Sequence, residues 1–598
     1  MKLPLFDTIG SRPAPKEVRL NMTSKSRISA LLCALVLLLC SVATYPVAEI
    51  GMNDDWSYLK SAQVLAQTDR IVYNGWAAPM LGWQLFLGAL FAKLFGSSFT
   101  AIRASTLLVA LATTFLLQRT FVRAGVSSRN ATIGTLTLAL SPLFLPLALS
   151  YMNDIYGLFC IVLCIYACLR ALTAETDRSM LAWLAFAAVS NALDGNVRQF
   201  VWLGVLAMVP CAIWLLRRRP HAVVVGGLVY LASVIIIYGT LRWYGHQPYT
   251  HSTAGSVILG QFNHHNLNYL AGLCFRTFFS FALFLLPILF AFIPALSLRS
   301  RRIRAMILSG GLLCVAGGRI LQHKQIFNTL FVPVGNYILL QGGFSDITLF
   351  SNGRAAWLVR DIRLAAFAAI MLALACFLAC LLTSRRNSAA WSQPPQPVSW
   401  HSLLVLLAPF SLAYLGMLLL RGAFVGVYDR HLLILLPIGA LFLLRFFQDC
   451  AQPNLPRASL VLVGLFASYA VAGTHDAFSA YRARIAAIAE LHAAGIPDNA
   501  IDAGMEHDLM IHIERFGHVD NPEISAPVPF QFAALPENCK PKSAGLAPEM
   551  VPGYKLSADP EACGGSSGFA PVTYRGWLGM YSSTLYIDDV AKLASIQR

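Results

Sequence analysis

Carboxylates are what this chain lacks. Of its 598 residues only 29 are Asp or Glu, against 45 Lys or Arg, and just fourteen of the 29 precede residue 476. Charged residues of both signs make up 12% of the chain and hydrophobic ones 57%, with a mean hydropathy of +0.61. A soluble protein of this length needs far more polar surface, so the composition excludes one and leaves an integral membrane protein. The pI near 9.4 does not imply nucleic acid as a partner. Residues 1–475 hold 36 basic and 14 acidic side chains, and the basic ones gather at helix ends on one side, where membrane topology accounts for them.

Apolar stretches of bilayer-spanning length, roughly 20 residues, recur as about thirteen candidate spans: near 28–47, 101–121, 131–149, 155–172, 179–194, 197–216, 222–243, 271–297, 304–321, 360–383, 401–420, 430–448 and 458–475. The apolar segment Met80–Phe95 is read as interfacial. On that reading the clusters Arg119/Arg123/Arg129, Arg217-Arg218-Arg219, Arg299/Arg301/Arg302/Arg304, Arg385-Arg386 and Arg445/Arg457 all share the side of the basic amino terminus, as the positive-inside rule requires. If the segment crossed, all five would be exported. The amino terminus is therefore expected in the cytosol and the carboxy terminus outside, in a bacterial-type inner (plasma) membrane. Lys25 and Arg27 before the first span also fit a cleaved signal peptide, the minor reading.

Past Thr474-His475-Asp476 the composition changes to fifteen acidic and nine basic residues with no further spanning run. Two domains follow: a transmembrane domain over 1–475, and a soluble exported α/β domain over 476–598 that opens on a helix at Ala477–Ala494 and includes a strand near Thr584-Leu585-Tyr586-Ile587. Eleven of the 13 cysteines lie in or beside spans, where they serve as small apolar residues. Cys160, Cys164 and Cys168 share a helix face, but no histidine joins them to make a metal site. Cys539 and Cys563 are alone in the exported part and form a candidate disulfide pair, a pairing that spacing cannot decide.

Scarcity makes the surviving carboxylates informative, because charges where helices leave the bilayer are functional candidates by default. Asn53-Asp54-Asp55-Trp56 follows the first span and precedes an amphipathic stretch, Trp56–Gln67. Helix capping is the plain explanation of that acidic pair. Tyr151-Met152-Asn153-Asp154 repeats an Asn-Asp pair at the second outer loop, however, and two such sites can converge across a cleft. Asp194-Gly195-Asn196-Val197-Arg198-Gln199 turns between two spans and brings Arg198 to the outer face, where Arg319, Lys324, Arg354 and Arg421 are also expected. Tyr428-Asp429-Arg430-His431 enters a late span from outside. Guanidinium groups there suit bidentate binding of phosphate. His246, His251, His264 and His265 share the loop 244–270, with a metal site the lesser reading.

These residues in this order resemble the C-type (GT-C fold) glycosyltransferases that use polyprenyl-phosphate sugars, in particular the protein O-mannosyltransferase and lipid A aminoarabinose transferase family. The carriers are Asp54-Asp55 with the interfacial helix behind them, Asp154, Tyr428-Asp429-Arg430-His431-Leu432-Leu433, the Thr474-His475-Asp476 junction, and Gly495-Ile496-Pro497 with Ile501-Asp502-Ala503-Gly504-Met505-Glu506. The resemblance implies a polytopic α-helical protein whose outer loops 48–100 and 150–155 are catalytic. It also implies inverting transfer of a sugar from a polyprenyl-phosphate donor to a glycan, lipid or protein acceptor at the outer face. In this reading Asp54, Asp55 and Asp154 are catalytic, with Asp54 the general base and Asp55 the helix cap. Arg198, Arg430, His431, Tyr428, Asn53 and Asn153 bind the donor phosphate or substrate. His431 stands where the family more often has tyrosine. A divalent metal is compatible with the chemistry, but no ligand set can be read and no cofactor is certain. Two rival readings are a secondary transporter, which requires no exported domain, and a noncatalytic membrane protein of polysaccharide assembly.

Overall fold

A computed structural model describes residues 24–76, 79–250, 267–295, 360–383, 397–424, 427–519 and, with short gaps, 539–590. The amino-terminal half forms a bundle. Helix α1 (Ser24–Ala43) is apolar on nearly every face and leaves Leu31, Leu35, Leu39 and Val42 exposed, as suits a helix bathed in lipid. Two shorter helices follow, α2 (Asp55–Thr68) and α3 (Trp83–Phe95). At 13 residues, α3 is ~20 Å long, too short for a hydrocarbon layer of ~30 Å. It packs instead along α2 and docks on Tyr151, whose hydroxyl donates to the Gln84 carbonyl at 2.7 Å. Gly88 permits this approach: a Cβ there would lie 2.1 Å from the Tyr151 hydroxyl oxygen.

Helix α4 (Phe99–Arg123) starts on Ser98, whose side chain accepts from the Ala101 amide. Beyond it come α5 (Ser128–Ala139), α6 (Phe144–Ala148), α7 (Asn153–Leu172) and α8 (Asp177–Asp194). Helix α7 is the bundle's axis: 72% of its spanning window is buried, and it packs against both α4 and α8. The chain then passes through a 3₁₀ turn at Gln199–Val201, a π turn at Gly204–Met208 and α9 (Val209–Leu215) before α10 (Pro220–Gly245). Pro210 accounts for the irregular stretch, since it has no N–H to donate to the preceding turn. Asn191 on α8 supports the break by accepting from the Val205 amide at 2.7 Å.

Among the described residues seven helices are long and apolar enough to cross a membrane, eight if the bent pair Ala271–Phe284 and Leu286–Pro294 is one span. The expected spans 131–149 and 197–216 are not single helices. The first divides into α5 and α6 around Pro142, and the second is the irregular stretch before α9. The expected span 304–321 lies outside the described residues. In the carboxy-terminal half come α11 (Leu267–Phe284), α12 (Leu286–Leu289), α13 (Phe292–Ala295), α14 (Arg360–Thr383), α15 (Trp400–Phe424) and α16 (Leu436–Cys450).

One helix is longer than composition suggests. The last span and the helix expected at Ala477–Ala494 are a single 37-residue helix, α17 (Arg457–Ala493), ~55 Å long. Polarity changes at His475-Asp476, but nothing there breaks a helix. Around the carboxy-terminal half of α17 gathers a four-stranded sheet of β1 (Ile501–Asp502), β2 (Tyr554–Ser557), β3 (Val572–Arg575) and β4 (Ser582–Asp589) in the order β1-β2-β4-β3. β1 pairs with β2 in parallel, and the other pairings are antiparallel. Helix α18 (Met505–Phe516) follows β1. Cys539 and Cys563 are disulfide-bonded, with Cα atoms 5.3 Å apart. Asp476 fastens the β3–β4 turn to α17, accepting from the Trp577 amide at 2.7 Å and from the Tyr581 hydroxyl.

Candidate active site

The two acidic neighbours that follow α1 have opposite environments. Asp55 is fully buried. One of its oxygens accepts from Arg103 Nε at 2.7 Å and the Tyr151 amide at 3.2 Å; the other accepts from Arg103 at 3.2 Å and the Met52 amide at 2.7 Å. Arg103 gives two further donors to the Ala48 and Ile50 carbonyls, at 2.9 and 2.7 Å. Four accepted bonds nearly exhaust a carboxylate. Asp55 is therefore a clamp that ties the loop after α1 to α4 and to the loop before α7. The expectation that it caps α2 is corrected: Asp54 occupies the N-cap position, and no side chain makes a cap bond there.

Asp54 points the other way. Its side chain is 24% exposed and meets Arg430 at 3.1 Å. The same guanidinium faces Asp154 at 3.9 Å, and Asp154 in turn meets Arg198 at 3.0 Å. Carboxylates separated by 100 positions in sequence thus share one arginine. Asp154 is in the first turn of α7, Arg198 precedes the 3₁₀ turn after α8, and Arg430 is in a 3₁₀ turn (Asp429–Ile434) leading into α16. Gly157, one turn along α7 from Asp154, lets the Arg198 segment close in, since a Cβ there would lie 2.9 Å from Phe200 Cζ.

Aromatic rings support the two arginines: Phe200 lies 5.5 Å from the Arg198 guanidinium and Tyr428 is 5.5 Å from that of Arg430. His431 is turned to local work. Its ring takes the Tyr428 amide at 3.3 Å, and its carbonyl accepts from the Tyr414 hydroxyl at 2.8 Å. Asn53 adopts a left-handed φ of 56° just before α2, a conformation asparagine tolerates. Asn153 is fully buried and directs its amide to Met80 Sδ at 3.1 Å. Tyr58 on α2 lies among the charges of Asp54, Arg198, Arg430 and Asp154; burial first, then the Asp54 carboxylate, pushes its hydroxyl well above the usual phenol range.

Other candidates stand apart. Asp194 accepts from the Trp83 indole at 2.9 Å, fixing α3 to α8 rather than joining Arg198. His475 and Asp476 serve the sheet junction. Arg421, exposed in the last turn of α15, adds positive charge near Arg198 and Arg430. Arg319, Lys324, Arg354, His251, His264 and His265 lie outside the described residues. Among the described residues no three His, Cys, Asp or Glu side chains are grouped to hold a metal ion, and the groups facing Asp54 and Asp154 are arginines, which do not fit a metal's ligand shell. A cleft of about 510 Å³ lies elsewhere, between α17 and β3, lined by His475, Arg482, Tyr574 and Arg575 among others. Sequence reasoning missed Arg103, Tyr58 and Trp83, which act across loops and carry no local motif.

Residues 77–243, from the approach to α3 as far as α10, match the model of the dolichyl-phosphate-mannose-protein mannosyltransferase family. Over this stretch the chain resembles that family. The matched segment, under a third of the 598 residues, holds Asp154 and Arg198 but neither Asp54 nor Arg430. It agrees with the GT-C resemblance carried by the outer-loop motifs. No curated protein sequence matches the chain. Solved structures similar to it include the S. cerevisiae protein O-mannosyltransferase Pmt1-Pmt2 complex bound to the sugar donor, at 13% identity and TM-score 0.32 over 39% of this chain and 35% of that one. Another is ArnT from Cupriavidus metallidurans in the apo state, at 12% identity and TM-score 0.37 over 95% and 99%. A third is the oligosaccharyltransferase AglB from Archaeoglobus fulgidus, at 13% identity and TM-score 0.35 over 76% and 56%. The chain thus spans about a third of the yeast protein's length, and likenesses at these scores carry no argument about fold or chemistry.

Proposed function

We propose that this chain is a membrane glycosyltransferase that moves a sugar from a polyprenyl-phosphate donor to an acceptor hydroxyl at the outer face, inverting the anomeric carbon. The observation that carries this reading is the convergence of Asp54 and Asp154 on Arg430, with Arg198 completing the cluster at 3.0 Å from Asp154. The family match over residues 77–243 supports the reaction class.

Asp54 is the base: it is the partly exposed member of the acidic pair, whereas Asp55 has its oxygens engaged by Arg103 and two amides. Asp54 takes the acceptor's proton while the acceptor oxygen bonds to the anomeric carbon from the face opposite the phosphate. The bond from that carbon to the phosphate oxygen breaks, and its electron pair leaves with the polyprenyl phosphate. Arg198 and Arg430 hold that phosphate; each guanidinium has five donors, more than one carboxylate uses, and fixed cations near a departing oxyanion stabilise the transition state. Asp154 orients both arginines. Tyr428 and Phe200 hold the guanidinium planes, and Asn53 and Asn153 shape the loops that meet the sugar. About thirteen spans in an inner membrane, with a cytosolic amino terminus and an exported α/β domain over 476–598, complete the picture.

The test supplies the purified chain with labelled polyprenyl-phosphate sugars and compares wild type with Asp54→Asn, Asp55→Asn and Asp154→Asn. Full transfer by Asp54→Asn would remove the base from the proposal. Uptake of solute into vesicles without covalent transfer would favour the transporter.

A further inference from the structure

The opposite end of the bundle holds a second charged cluster that the transfer reaction does not use. Arg119 and Arg123 stand one turn apart on α4 and are only 5% and 9% exposed. Arg119 donates to Ser26 Oγ on α1 at 2.9 Å. Arg170, in the last turn of α7, donates to the Tyr166 hydroxyl at 3.3 Å and lies over the Trp183 ring at 4.6 Å. Arg27 on α1 and Arg170 are both near enough for their charges to act on Arg119, and Arg119 and Arg170 act likewise on Arg123. Among the described residues no carboxylate forms an ion pair with Arg123 or Arg170, and Arg123 Nε is enclosed with no hydrogen-bond partner.

Topology alone accounts for basic residues on the cytosolic side, but only for ones standing in water, as the exposed Arg217 does. It does not explain burying one. Like charges at i and i+4 repel, and an uncompensated buried cation is strongly unfavourable. A bound anion removes both penalties. Arg123 lies 20 residues along α4 from Arg103, ~30 Å by helical rise, which is one hydrocarbon thickness away from the Asp55 clamp.

We infer that the inward ends of α1, α4 and α7 form a binding site for a phosphate-class anion, held by Arg119, Arg123 and Arg170 with Arg27 at its rim. Guanidinium forks match phosphate oxygens in geometry and charge. The same chemistry is offered by the headgroup of an anionic phospholipid in the facing leaflet and by free phosphate.

The test uses the full chain in detergent, titrated with phosphatidylglycerol or phosphatidylcholine and read by native mass spectrometry and thermal unfolding, with inorganic phosphate as competitor. Phosphatidylglycerol is expected to be retained over phosphatidylcholine, and Arg123→Gln to weaken that retention about tenfold, the loss of one charge-assisted contact. Arg217→Gln leaves it unchanged. Competition by millimolar phosphate identifies a free anion as ligand, and its failure to compete identifies the lipid. Should Arg123→Gln not purify, Arg170→Gln carries the same comparison. Equal retention of the two lipids with no effect of phosphate, or equal binding by wild type and both variants, overturns the site.

Discussion

Helix α4 carries a buried arginine at each end, and the two differ in what answers them. Arg103, near the amino-terminal end, is answered by Asp55 and by the Ala48 and Ile50 carbonyls. Arg123, at the inner end, has an enclosed Nε with no partner among the described residues. A buried charge with its counter-charge in place holds a structure rigid, whereas one without invites a ligand. The Asp55–Arg103 clamp holds the loop that carries Asp54, and the proposed reactive cluster of Asp54, Asp154, Arg198 and Arg430 sits beside it.

The largest effect that tests this contrast separates the two members of the acidic pair. Asp54→Asn is expected to lower sugar transfer by about 10² to 10⁴ with the thermal midpoint unchanged, because its carboxylate is partly exposed and does not hold the loop. Transfer and unfolding measured on the same preparation decide the point. If Asp54→Asn lowers the midpoint as much as the rate, the division between reactive and scaffold carboxylate is wrong.

Next comes Arg103→Gln. It strands Asp55 in a fully buried site, and removing one partner of a buried pair costs about 3–5 kcal/mol. The expected result is a marked fall in thermal stability, with transfer lost as a consequence. Arg123→Gln makes the opposite prediction: in lipid-free detergent it is neutral or stabilising, because it removes an unanswered charge. The two ends of α4 are equivalent if both variants destabilise alike.

Much of the Asp54–Arg430 cluster is legible in the sequence, because Asp54, Asp154 and Arg430 each stand where an apolar run meets a loop in a chain poor in carboxylates. What was not legible was partnership. Asp55 and Arg103 are 48 residues apart, and no spacing rule ties a loop residue to a helix two elements later; the same holds for Trp83 and Asp194. The continuity of α17 was hidden for a different reason. Composition reports solvent, and a helix can pass from lipid to water without a break when its residues keep helical propensity. The arginines at the carboxy-terminal end of α4 enter the sequence reading only as a topological signal, and a sequence pattern cannot distinguish a buried guanidinium from an exposed one.

The smallest effect concerns how the segment after α17 reaches the loop that carries Asp54. Trp56, the residue after Asp55, packs with Leu509, Ile513 and Val519 of the outer segment, and Glu506 pairs with Arg484 at 3.2 Å, both buried. A Cβ on Gly51 would lie 2.8 Å from Glu506 Cβ, so α18 sits directly against the turn that presents Asp54. The exposed contact between the same helices, Lys60 with Glu514 at 3.3 Å, is expected to contribute at most ~1 kcal/mol. Lys60→Ala should therefore shift the thermal midpoint slightly or not at all and leave transfer intact, while Trp56→Ala, which empties a packed site, should lower both. A large effect of Lys60→Ala on transfer would mean that α18 holds the loop carrying Asp54 by surface charge rather than by the Trp56 contact.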